Sequence, residues 1–107
     1  MRVSRETAAS GAISLTVDPG IPFRLIAIKV HLSAVGGAGN LTATTDSIIG
    51  ATYDAVLTLQ DMTAVTDYIY VPDNPIPFVD GDKVVIAWAN ASNVTYGIEA
   101  FWVPDNI

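Results

Sequence analysis

Cysteine is absent from the 107 residues, so no disulfide, thiolate metal site or cysteine nucleophile is available and stability has to come from packing. Positive charge is scarce: five Lys and Arg stand against eleven Asp and Glu, a net charge of -6. A phosphate backbone is held by cations that displace its counterions, so this balance speaks against nucleic acid as a partner. Long apolar runs are missing as well. Arg24, Lys29 and His31 interrupt the most hydrophobic segment, short of the ~20 residues a membrane helix needs, and no membrane role is expected. No apolar stretch of signal-peptide length follows Arg2 and Arg5. Helical periodicity is almost nowhere visible.

What is present is apolar and β-branched. Half the residues are hydrophobic and only 15% are charged, against about 25% in an ordinary soluble domain, which implies that some apolar surface meets another protein chain. The length suits a single domain, expected over residues 12–107 behind an N-terminal arm of residues 1–11. Short runs rich in Val, Ile, Thr and Tyr recur between Gly, Pro, Asn and Asp clusters. They give strands at Ala12 to Val17, Phe23 to Leu32, Leu41 to Thr45, Tyr53 to Leu59, Asp67 to Val71, Ile76 to Val79, Val84 to Ala89 and Thr95 to Val103. Gln60 to Thr66 reads as a connection, and Val35 to Asn40 as a flexible exposed tip. About eight strands at roughly ten-residue spacing predict an all-β, antiparallel β-sandwich, with jelly-roll or immunoglobulin-like order left open by the periodicity.

Alternation assigns the faces. Ile26, Ile28, Val30 and Leu32 are expected in the core, with Leu25, Ala27, Lys29 and His31 opposite. Val84, Ile86 and Trp88 point inward, as do Tyr96, Ile98 and Trp102. The outward sets are then unusually dry: Leu25 and Ala27, Val85, Ala87 and Ala89, Phe101 and Val103. A sandwich has one interior, so a second apolar side calls for burial against other subunits. These seven residues are the candidate oligomer or partner interface.

Catalytic chemistry finds little support. His31, the one histidine, shares its face with Lys29 and has no nucleophile elbow in the sequence to serve, so it reads as a residue of a polar sheet face or subunit contact. No enzyme and no cofactor are expected. Asp46, Asp54, Asp61, Asp67, Asp73, Asp80 and Asp82 fall in or beside turns, where Asp is favoured for its backbone behaviour; Asp80-Gly81-Asp82 lacks the ligand series of a calcium loop. Asn40, Asn90 and Asn93 match the glycosylation pattern but read as turn residues. Trp88, Tyr96, Phe101 and Trp102 have the chemistry of a sugar-stacking platform, yet the register places both tryptophans in the core. Carbohydrate is kept as the alternative partner.

Further signals come from longer stretches. Tyr68-Ile69-Tyr70-Val71-Pro72-Asp73-Asn74-Pro75, Asp80-Gly81-Asp82-Lys83-Val84-Val85-Ile86, Asn90 and Tyr96-Gly97-Ile98, together with Phe23 through Leu32, Asp46 and Tyr53-Asp54, resemble the small jelly-roll virion proteins of tailed bacteriophages. The similarity covers roughly residues 20 to 100. The resemblance implies a jelly roll and a non-catalytic place on the capsid surface, as a decoration (cement) protein forming a homotrimer on the major capsid protein. A fibre or spike tip, or a carbohydrate-binding module, is the alternative. Arg2 and Arg5 would then place the arm on an acidic capsid surface.

Overall fold

The computed structural model describes residues 1–105 and contains nine strands: β1 Arg2–Ala8, β2 Ile13–Val17, β3 Phe23–Leu32, β4 Asn40–Asp46, β5 Val56–Asp61, β6 Asp67–Tyr70, β7 Ile76–Phe78, β8 Lys83–Trp88 and β9 Tyr96–Pro104. One 3-10 turn, Ala51–Tyr53, precedes β5. Two antiparallel sheets form a sandwich, one ordered β1-β9-β3-β6 with β7 also on β3, the other β2-β8-β4-β5. Strands β1, β2, β3 and β4 therefore pair with β9, β8, β7/β6 and β5 in turn, a long hairpin rolled up on itself, which is the jelly-roll order. The expected count of eight becomes nine because residues 2–8, expected as an arm, form the strand β1. Both β6 and β7 pair with β3, and Pro72 and Pro75, which cannot donate to a ladder, fall in the gap.

The core is the set the alternation selects, with one exception. Ile13, Leu15 and Val17, Leu41 and Ala43, and Val84, Ile86 and Trp88 from one sheet meet Phe23, Ile28, Val30 and Leu32, and Tyr96, Ile98, Ala100 and Trp102, from the other. Phe23 stacks on Phe78 at 4.8 Å and meets Trp102 edge-on at 6.0 Å, closing one end. The exception is in β3. A bulge between Leu25 and Ala27 inserts one residue into the ladder with β9, so Leu25 turns inward and is fully buried while Ile26 turns outward. Leu25 is thus a core residue and not an interface residue, and Ile26 is not core.

The expected arm is also corrected. Residues 2–8 are the edge strand β1, each paired with β9 from Arg2 opposite Trp102 to Ala8 opposite Tyr96. The Val35–Asn40 tip is tighter than expected: Gly36 is buried, donates to the Val65 carbonyl at 2.9 Å and accepts from Ala64 N–H at 3.0 Å. A Cβ there would collide with the Met62 carbonyl, which explains the glycine. Met62 itself is fully buried, so the Gln60–Thr66 connection carries a core anchor.

Candidate functional site

Three outward regions remain after the core is filled. The first is the outer face of the β2-β8-β4-β5 sheet. Burial of Ile13, Leu15 and Val17 turns Ser14 and Thr16 outward, and burial of Val84, Ile86 and Trp88 does the same for Val85 and Ala87. Cross-strand register sets Thr16 beside Val85 and Thr44, and Ser14 beside Ala87 and Thr42; Leu59 and Val56 on β5 complete the rows. No side chain of these two rows carries a charge. Val85 and Ala87 are half-buried, Ala89 is exposed, and Leu59 and Val56 on the edge strand are each 58% exposed. Around the small Ala87 and Ala89 lies a shallow trough of about 400 Å³ bordered by Ala12, Ser14, Asn40 and Thr42.

The second region is the outer face of β1-β9-β3-β6, on the opposite side of the sandwich. Val3, Phe101 and Ala27 form one row there, and Val103 and Arg24 continue it toward the end of the sheet. Phe101 is half-buried with the Lys29 ammonium 5.6 Å from its ring centroid. The next row is Arg5, Glu99, Lys29 and Ile69. Glu99 takes Arg5 Nε at 2.6 Å and Lys29 Nζ at 3.0 Å. Hydrogen bonding from Arg5, and then from Lys29, holds the Glu99 carboxyl below the usual carboxylate range. One row further on, His31 Nδ1 lies 2.5 Å from Asp67 Oδ1, and that hydrogen bond lowers the Asp67 carboxyl in the same way. Arg2 sits at the sheet edge with its guanidinium 5.7 Å from the Trp102 ring centroid.

The third region is the end of the sandwich where the β4–β5 and β7–β8 loops meet. Asp82 accepts from the Ile48 N–H at 2.9 Å and from the Val79 N–H at 3.1 Å, clasping the two loops together. Gly81, at φ 94, brings its backbone against the Ile48 side chain. Ile48, Ile49, Tyr53 and Val79 are all more than half exposed on these loops. Sequence reading missed this apolar tip: Ile48 and Ile49 fall in a loop without periodicity, and Tyr53 and Val79 are expected in strands, whereas β5 and β7 do not extend to them.

The expected interface residues are therefore not one patch. Val85, Ala87 and Ala89 share the first face, Ala27, Phe101 and Val103 the second, and Leu25 none. Trp88, Tyr96 and Trp102 are core residues, so they form no stacking platform. Among the described residues, no group of three or more His, Asp or Glu is placed to hold a metal ion. Asp61, expected as a turn residue, accepts from Thr63 N–H and Oγ1, and the backbone bond first, then the hydroxyl, lowers its carboxyl. No family model matches the chain, and no curated protein matches it either.

Proposed function

We propose that the protein is a bacteriophage capsid decoration protein that assembles as a homotrimer on the major capsid protein. The observation that carries the reading is the pair of uncharged central rows on this outer face, Ser14, Thr16, Thr42, Thr44, Val56, Leu59, Val85 and Ala87, in a chain of net charge -6 and between the charged Asp46–Lys83 row and Asp61. Depletion of charge marks the centre of a protein interface, and a monomer gains nothing from keeping it so. Covering ~500 Å² of apolar area contributes about 10 kcal/mol at ~25 cal/mol per Å², before the cost of association.

Symmetry restricts how the two dry faces are used. Joining opposite faces head to tail would build an open stack, whereas a closed trimer turns one face toward its axis, one side of that face meeting the other side on the next copy, and leaves the opposite face free. The uncharged face is the better subunit contact. The Ala27, Phe101 and Val103 row, the apolar loop tip and the neighbouring Arg2 are then left to meet the shell. Arg2 acts there from the edge of a paired strand and not from a loose arm, while Arg5, tied to Glu99, lies in the adjoining row. Three linked copies multiply weak shell contacts, so no single strong site is required.

Co-sedimentation with empty shells assembled from the major capsid protein encoded in the same genome tests this role. The proposal expects saturable binding in multiples of three copies, weakened by Ile49→Asp. Absence of the chain from the pelleted shells contradicts it.

A further inference from the structure

Gly97 stands in the outward register of β9, between Thr7 of β1 and His31 of β3, and a Cβ built on it would meet no atom within 4 Å. The missing side chain opens a groove of about 430 Å³ in this sheet face, lined by Arg5, Glu6, Thr7, Lys29, His31 and Glu99. That volume lies in the range of small-molecule sites. Two strand spacings, roughly 10 Å, separate the Thr7 and His31 columns, which leaves room for one sugar ring on the Gly97 backbone.

The lining presents both signs of hydrogen-bonding group. Arg5 spends Nε on Glu99, and its terminal nitrogens have no partner among the described residues; nor does His31 Nε2. Lys29 keeps two protons beyond its Glu99 contact. Glu99 and the Thr7 hydroxyl, which donates to the Tyr96 carbonyl at 2.8 Å, offer acceptor lone pairs. A bare inorganic anion would face the Glu99 carboxylate with no hydroxyls to satisfy it. A neutral sugar would leave the terminal nitrogens of Arg5 and the spare protons of Lys29, both already sharing the one Glu99 carboxylate, without a second anion.

We infer that the groove binds a monosaccharide-sized sugar acid, its carboxylate toward Arg5 and Lys29 and its hydroxyls on Thr7, His31 and Glu99. The site lies on the face that the trimer leaves open, and its existence does not depend on the shell reading.

Titration of the full chain with glucuronate, followed by amide NMR shifts, is the test. Saturable shifts are expected at Thr7, His31, Gly97 and Glu99, with a dissociation constant of about 1 mM. Gly97→Val, whose Cβ would meet no atom within 4 Å, is expected to keep the fold while weakening binding more than about ten-fold; Arg5→Gln is expected to weaken it about ten-fold. Glucose and acetate are expected to bind at least about ten-fold more weakly than glucuronate. The inference is overturned by shifts that do not saturate, by Gly97→Val binding as tightly as the wild type, or by glucose or acetate matching glucuronate. No shell takes part in the titration, so its failure leaves the capsid reading standing.

Discussion

Asn90 and Val94 bond reciprocally: Asn90 Oδ1 accepts the Val94 N–H at 3.1 Å, and Asn90 Nδ2 donates back to the Val94 carbonyl at 2.9 Å. The same Nδ2 donates to the Gly11 carbonyl at 2.7 Å, so one buried side chain joins the β1–β2 loop to the β8–β9 loop. Its backbone is left-handed, at φ 51, a conformation Asn tolerates better than most residues. Asn90→Ala leaves these backbone groups unpaired and adds backbone strain. We expect a loss of about 2–4 kcal/mol in chemical denaturation. Asn90→Asp keeps the acceptor but loses both donated bonds, and is expected to be destabilising as well.

The β3 bulge makes a sharper claim about neighbours. Leu25 is fully buried while Ile26, next in sequence, lies on the outer face. Leu25→Ala is expected to cost about 2–5 kcal/mol, as for a buried leucine, and Ile26→Ala less than about 1.5 kcal/mol. Equal losses in urea unfolding would contradict the bulge.

That bulge also shows where sequence reading stops. Strict alternation recovers β2, β8 and β9 nearly to the residue, because one side of each strand is wholly apolar and faces the core. In β3 five of the six residues from Phe23 to Ile28 are apolar, with only Arg24 to mark a phase, so the inserted residue is invisible until β9 is in place. Residues 2–8 read as an arm because the edge strand RVSRETA buries no large side chain. The Gly97 groove needed the register of three strands, β1, β9 and β3, which no local pattern encodes.

Two titrations are expected to bound the pH range of stability. Glu99 is lowered from its ordinary value of 4.5 by Arg5 and Lys29, so the stability its ion pairs contribute is present above 4.5 and is lost as pH falls through the lowered folded value. Glu99→Gln should flatten the acid side of a stability-versus-pH curve. Tyr96 is pushed from 10.0 up to about 12, by burial first and then by Glu6, whose Oε1 lies 2.5 Å from its hydroxyl. The protonated phenol is favoured in the fold, so this contribution is complete below pH 10 and disappears as pH rises toward 12. Tyr96→Phe should remove that alkaline slope, which thermal melts from pH 8 upward would reveal.

Sedimentation velocity of the purified chain, alone and as Ala87→Glu, bears most directly on the proposal that subunits meet through this outer face. The wild type is expected at three times the 11.3 kDa chain mass across the micromolar range. Ala87→Glu, which sets a carboxylate in the middle of the uncharged rows, is expected to run as a folded single chain. A wild type that sediments at the mass of one chain, with Ala87→Glu indistinguishable from it, would contradict the account.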